Sequence, residues 1–229
     1  MITVVGDVHG KFDQYYNIVK DKEYSLQLGD FGFSDTWNKL NYKNLHSENH
    51  KVLGGNHEDY DIAPLSPYYL GDFGEVTLGG VSLFFIRGGL SIDRVYRVGD
   101  ELSGGKKTWW SQEELSLSKM IECIALYNKV KPDIVVSHVP AAQFTHKILG
   151  NKSDAILQKF KFHNGFREAH QLLGDELLKL HKPKIWFSGH MHSSFQGIVD
   201  DVYIIALREL ETFNLTINTV QQLSAKKGA

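Results

Sequence analysis

Ile2-Thr3-Val4-Val5-Gly6-Asp7-Val8-His9-Gly10 is a short β-branched run that passes without a break into a turn carrying a carboxylate and an imidazole. The pattern recurs along the chain. Ser25 to Leu28 leads to Gly29-Asp30, Lys51 to Leu53 leads to Gly55-Asn56-His57, Asp133 to Val136 leads to His138, and Lys184 to Phe187 leads to Gly189-His190-Met191-His192. Runs this short, rich in β-branched and aromatic residues, read as buried strands. Between them Phe12 to Val19, Glu114 to Tyr127 and Phe166 to Leu180 carry helical spacing, with Leu172, Leu173, Leu177 and Leu180 marking one face of the last. Ser111 with Glu114 reads as a capping box for the second of these helices. Strands alternating with helices predict an α/β architecture with a mainly parallel sheet. Glu75 to Ile86, with a hairpin at Leu78-Gly79-Gly80-Val81, and successive strands over Ser194 to Asn218 predict a mixed or second sheet.

A chain of 229 residues with 42% hydrophobic content can bury a sizeable core. No internal repeat and no linker interrupts it, so the expectation is one domain over residues 1–220 with a frayed polar tail from 221 to 229. Lys and Arg number 25 against 27 for Asp and Glu, a formal charge of -2 that offers no net field to gather a polyanion or an anionic membrane. A polybasic nucleic-acid binder is therefore disfavoured. Cys123 stands alone, which excludes an intramolecular disulfide and a multi-thiolate zinc site. The first residues form neither a basic leader nor an apolar signal segment, and no apolar run approaches the roughly 20 residues that cross a bilayer. A cytoplasmic protein with no membrane span is expected.

Residues just beyond the carboxyl ends of strands in an open α/β sheet converge on one crevice, so Asp7, His9, Asp30, Asn56, His57, His138, His190 and His192 are placed to share one site. Carboxylates, an amide and imidazoles without thiolate suit manganese, iron or zinc better than calcium, which prefers oxygen alone. So many protein ligands are more than one catalytic ion with an open position takes, but they suit two ions sharing a carboxylate. Asp30, alone at its strand end, is the natural bridge. Gly6, Gly10, Gly29, Gly55 and Gly189 flank the candidate ligands, where a chain leaving a strand must turn sharply.

In these motifs, Gly6-Asp7-Val8-His9-Gly10, Gly29-Asp30, Gly55-Asn56-His57-Glu58, His138 after an apolar strand and Gly189-His190-Met191-His192, the sequence resembles the calcineurin-like metallophosphoesterases, and Gly88-Gly89-Leu90-Ser91-Ile92-Asp93-Arg94 followed by Trp109-Trp110 resembles a stretch of bacterial and phage members. The resemblance implies a four-layer sandwich of two mixed β-sheets flanked by helices, with a two-metal centre at the strand ends. Asp7, His9 and His192 would hold one ion with Asp30, and Asn56, His138 and His190 the other. His57 would face the substrate as the catalytic histidine. The implied reaction is hydrolysis of a phosphate ester, a phosphodiester or nucleotide being favoured, by a hydroxide bridging the ions, with His57 protonating the leaving group.

The pattern departs from the family's protein phosphatase branch at three places. Phe33 and Ser34 stand where that branch has an aspartate and an arginine, and Gly54 where it has a second arginine. That counts against a phosphoprotein phosphatase and leaves His57 without its usual carboxylate partner, for which Asp35 is the candidate replacement. The alternatives are a phosphoprotein or small-molecule phosphomonoesterase, a metal-dependent nuclease, for which the net charge gives no sign, and a non-catalytic metal-binding scaffold. Arg87, Arg94 and Arg97 could supply the missing phosphate contacts or be solvated loop residues. Trp109 and Trp110 could stack on a base, but anchoring the following helix is the simpler reading. Gly104-Gly105-Lys106-Lys107-Thr108 lacks the first glycine and the hydroxyl residue of a phosphate-binding loop. His46, His50, His146, His163, His170 and His181 fit no motif and read as surface or core residues.

Overall fold

The computed structural model describes residues 1–34, 36–37, 45–150, 152–163 and 165–218. The expected frayed tail from 221, and Asp35 as a partner for His57, lie outside the described residues.

Four strands form one sheet in the order β10-β1-β2-β3, with β1 (Ile2–Val5), β2 (Tyr24–Gln27), β3 (His50–Val52) and β10 (Thr212–Leu215). The first three are parallel and β10 runs against β1. Six strands form the other sheet in the order β4-β5-β6-β7-β9-β8. Here β4 (Phe73–Leu78) and β5 (Val81–Ile86) make the expected hairpin, β6 (Ile134–Ser137), β7 (Ile185–Ser188) and β9 (Val202–Ala206) continue parallel to β5, and β8 (Phe195–Val199) closes the far edge antiparallel. Both sheets are mixed. The mixed second sheet expected from Glu75 to Ile86 and Ser194 to Asn218 is present, with the antiparallel strands at the sheet edges.

Alternation along the strands sorts the core into bands. Val4, Leu26 and Leu28 face Phe85, Val136, Ile185 and Phe187 across the space between the sheets. Val5 and Val52 point the other way, onto α1 (Phe12–Val19) and the aromatic group of Tyr15, Phe31, Phe33 and Trp37. On the outer face of the larger sheet Phe84, Val135, Trp186 and Ile204 meet α3 (Leu117–Val130), α4 (Ala142–Leu149) and α6 (Ala169–Leu180). Helix, sheet, sheet and helix make the four layers. Two further helices, α2 (Arg94–Leu102) and α5 (Lys152–Lys159), lie in the connections after β5 and after α4.

Two local readings are corrected. In α6 the buried side chains are His170, Gln171, Leu173, Gly174, Leu177 and Leu178, while Leu172 and Leu180 are exposed, so the core stripe is rotated from the face expected. The helix also begins at Ala169, where Glu168 and Gln171 form a capping box. The second correction concerns α3. Ser111 opens a 3-10 turn, and Glu114 is extended at φ -95 and ψ 137, so it cannot occupy the third position of a helix. Glu113 folds back to accept from Ser91 N at 2.8 Å and Glu114 pairs with Arg94 at 3.2 Å, which pins the turn away from helix. Ser116 caps instead, its hydroxyl accepting from Lys119 N at 3.3 Å. Ser116→Ala should therefore cost about 1 kcal/mol of unfolding free energy, while Ser111→Ala stays within about 0.5 kcal/mol. Urea titration of both variants reads the difference, and the reverse ranking would return the cap to Ser111.

Candidate metal centre

Strand register makes the crevice. Val5, Gln27 and Val52 are level in the small sheet, and Ser137 is level with Ser188 in the large one, so the turns that follow these strands emerge side by side. The buried Gln27 side chain ties two of the turns together, donating to Gly6 O at 3.1 Å and accepting from Gly29 N at 3.0 Å. Glu58 ties two more. Its carboxylate accepts from the backbone N–H of Phe31, Gly32, Phe33 and Gly55 at 2.8, 2.9, 2.8 and 3.2 Å, clamping the turn after β2 to the turn after β3.

The turns deliver two groups of ligand atoms that lie within 4.8 Å of one another in each group: Asp7, His9, Asp30 and His192, and Asp30, His138 and His190. In the first, His9 Nε2 stands 3.2 Å from His192 Nε2 and 3.8 Å from Asp30 Oδ2, and His192 Nε2 stands 3.4 Å from Asp7 Oδ2. In the second, His138 Nδ1 donates to Leu28 O at 2.8 Å, which turns Nε2 toward Asp30 Oδ1 at 3.2 Å, Asn56 Oδ1 at 3.1 Å and His190 Nδ1 at 3.2 Å. Asp30 belongs to both groups and gives one oxygen to each. All seven residues expected to bind metal meet here, in the two sets implied by the resemblance, with Asn56 in the second.

Acceptor atoms this close repel one another unless a cation or protons lie between them. Burial lifts the Asp7 carboxyl to about 7, and the neighbouring Asp30 carboxylate adds to the rise. Burial alone would lower His138, but Asp30 and Asp7 outweigh it and lift the imidazole to about 10. Burial would likewise raise Asp30, yet His138, His57 and His9 around it hold its carboxyl well below the ordinary range. Both shifts mark a place where positive charge is favoured, and a divalent ion binding there would compete with protons on these groups. Backbone strain points the same way: His9, Asp30, His190 and His192 have φ of 48, 53, 63 and 48, a left-handed region that costs a non-glycine residue energy and clusters at functional sites. A Cβ on Gly55 would overlap Asp30, and one on Gly189 would overlap Asp7, so glycine is required at both. The donor set fits divalent transition metals.

The model of the calcineurin-like phosphoesterase family matches residues 1–194. The chain belongs to the calcineurin-like phosphoesterases. Its two packed mixed sheets are the architecture expected from the resemblance. A comparison with curated proteins finds no match. Among solved structures, the chain is similar to a novel archaeal phosphodiesterase at 13% identity and a TM-score of 0.37, with 91% of this chain and 83% of that one covered. It is similar to the phosphopantetheinyl hydrolase of Mycobacterium tuberculosis at 13% and 0.44, over 91% and 89%, and to the Plasmodium inner-membrane-complex anchor GAP50 at 11% and 0.47, over 90% and 70%. Likenesses this distant carry no argument about substrate. Among the described residues no helix is long and apolar enough to cross a membrane.

In this member of the family His57 lies on the same crevice, its Nε2 3.9 Å from Asp30 Oδ2, and its backbone N–H donates to Asp30 Oδ1 at 2.9 Å. Among the described residues no carboxylate is hydrogen-bonded to the ring. Arg97 lies against it instead, with Nη2 2.7 Å from Nδ1 and 2.9 Å from Nε2, and Asp93 holds the guanidinium at 2.9 Å. Burial lowers His57 to about 4, opposed by Asp30 and reinforced by Arg97, so the ring is neutral near pH 7. Arg87 and Arg94 do not join the site. Arg87 is buried between Asp72, the Gln112 carbonyl and the Tyr60 ring, and Arg94 pairs with Glu114. Trp110 donates to Asp61 at 2.8 Å and precedes the 3-10 turn rather than α3.

Glu168 is a member of the site that no motif announced. Its carboxylate lies 3.4 Å from His190 Nε2 and accepts from Leu90 N, so it fixes the ring with Nδ1 turned toward His138. The only sequence signal was its place before a helix with Gln171 three residues on. Glu58 was visible in its motif but without a role; burial, aided by the Asp30 charge, lifts it to about 7 against four hydrogen bonds that favour the anion. Glu58→Gln would turn an amide N–H toward backbone N–H groups. It should cost about 1–3 kcal/mol of unfolding free energy and weaken metal binding, read by urea titration and by elemental analysis after dialysis. Wild-type values in both would show that the clamp is dispensable.

Proposed function

We propose that the protein is a two-metal phosphoesterase acting on phosphodiesters or nucleotides in preference to phosphoproteins. The observation that carries this is the placement of Asp30, with one carboxylate oxygen facing each ligand group. Asp7, His9, Asp30 and His192 would hold one ion, and Asp30, Asn56, His138 and His190 the other, as manganese, iron or zinc. Divalent ions so held supply charge neutralisation for phosphoryl oxygens and an activated water. In the reaction water adds to phosphorus, the ester P–O bond breaks, and the alcohol leaves with a proton.

Arg97 and His57 serve the substrate side. A phosphate entering the crevice brings negative charge beside the His57 ring, which raises its affinity for a proton. The Arg97 guanidinium can then turn an N–H from the ring to a phosphoryl oxygen. His57 so charged gives its proton to the leaving oxygen.

The preference for a diester follows from the scarcity of cations. Phe33 is buried in the aromatic core against Tyr69, at 5.8 Å between ring centroids, and a side chain at Gly54 would meet Tyr60, Tyr69 and Arg87. Neither position can present a guanidinium. A diester carries less charge than a monoester dianion and needs fewer positive partners. With manganese bound, an aryl phosphodiester should be turned over at least about tenfold faster than a phosphoserine peptide, and Asp30→Asn should lose ions from both groups. Elemental analysis saturating at one ion per chain would end the two-metal reading, and efficient peptide dephosphorylation without diesterase activity would end the substrate preference.

His57→Ala should keep the metal content and lower kcat by roughly a hundredfold to ten-thousandfold on an alkyl ester. The loss should be smaller on a nitrophenyl ester, whose leaving group needs no proton. Equal losses on both esters would show that His57 does not protonate the leaving group.

A further inference from the structure

A cavity of about 650 Å3 opens on the metal centre, with Asn56, His57 and His190 among its lining. Its far walls come from α4, α5 and the segment between α5 and α6. Leu149, Leu157, Phe160 and Phe166 are half-buried there, and Ile156 is 38% exposed. These apolar side chains face open space beside a polar centre, although covering them with protein would have stabilised the fold.

The polar groups of this wall are already paired. Gln171 Nε2 donates to Thr145 Oγ1 at 3.0 Å, Thr145 Oγ1 donates to Ala141 O at 3.2 Å, and Gln171 Oε1 accepts from Glu168 N at 3.2 Å. Among the described lining residues the buried amides of Gln171 and Asn56 are committed to protein partners. Among the described lining residues Arg167 is the one Lys or Arg, and it lies 3.7 Å from Asp175, while Asp93 and Asp154 add negative charge. A polyanion would find no matching groove.

We propose that this cavity receives an uncharged apolar substituent of the ester, so that the substrate class is a phosphodiester with a single phosphate and a hydrophobic organic group, and not a polynucleotide. The inference rests on the phosphoesterase reading above and narrows it. The volume is that of a pocket for a drug-sized ligand. The phosphate sits at the Asp30 end and the apolar group lies along α4 and α5.

Three 4-nitrophenyl phosphodiesters share one leaving group and differ in the second substituent: methyl, octyl or 5′-thymidyl. With manganese-loaded protein the octyl ester should exceed the methyl ester in kcat/KM at least about tenfold and exceed the thymidyl ester as well. Ile156→Asp and Phe160→Ser should each lower the octyl-to-methyl ratio. Binding gives a readout apart from turnover: octylphosphonate, which has no ester bond, should bind at least about tenfold tighter than methylphosphonate by calorimetry. Equal methyl and octyl values, a thymidyl preference, or comparable cleavage of single-stranded DNA would overturn the inference and leave the phosphoesterase reading standing. Tighter octylphosphonate binding without hydrolysis of any ester would retire that reading and keep the apolar assignment of the cavity.

Discussion

Asp30 is the constraint on which the rest of the site depends. It is almost completely buried, held at φ 53, and surrounded by imidazoles, while accepting the His57 backbone N–H. A lone carboxylate in such a place would be protonated or would distort the fold. Here the neighbouring His138 balances it at 3.2 Å, and the Glu58 clamp fixes the turn on which it sits. The cost of one buried charge thereby dictates the partners around it. An imidazole must face each oxygen, a glycine must stand at position 55, and a second carboxylate must gather the surrounding N–H groups.

Stability and chemistry are kept apart in the architecture. Three apolar bands, between the sheets and on their outer faces, hold strands whose ends are level, and those bands contain none of the candidate ligands. Burial of this extent offsets strain of about 1–3 kcal/mol at each left-handed residue of the turns. Neither half of the centre would form from one sheet alone. The small sheet supplies Asp7, His9, Asp30 and Asn56 and the large sheet His138, His190 and His192, so packing of Val4, Leu26 and Leu28 against Val136 and Phe187 brings the two sets together.

What was legible in the sequence follows from the same division. A buried strand ending in a sharp polar turn is written locally, as an apolar run followed by glycine and a ligand, and each of the five such strands lies within one residue of where it was read. The convergence of the candidate ligands was readable because strand ends converge whatever the loops do. Helix α2 was not, since none of Arg94–Leu102 is buried and no apolar stripe points to a core. Arg97 was weighed as a phosphate contact, but its place on the His57 ring depends on how the connection after β5 folds back over the centre. The rotated stripe of α6 came from counting leucines, when Gly174 and His170 lie on the buried face and Leu172 does not.

Those unreadable connections are where this chain differs from the protein phosphatase branch of its family. The position of Gly54 is filled from outside by Tyr60, Tyr69 and Arg87, and Arg87 is committed to Asp72. A guanidinium therefore cannot be introduced at Gly54 by one substitution, because the surrounding aromatic core would have to open. The segment after β5 sends Arg97 to His57 from the opposite side, held by Asp93. Positive charge thus reaches the His57 ring through a surface helix and not through the core. A contact mounted on a helix with no fully buried residue can shift without disturbing the candidate ligands, which the level strand ends hold in place.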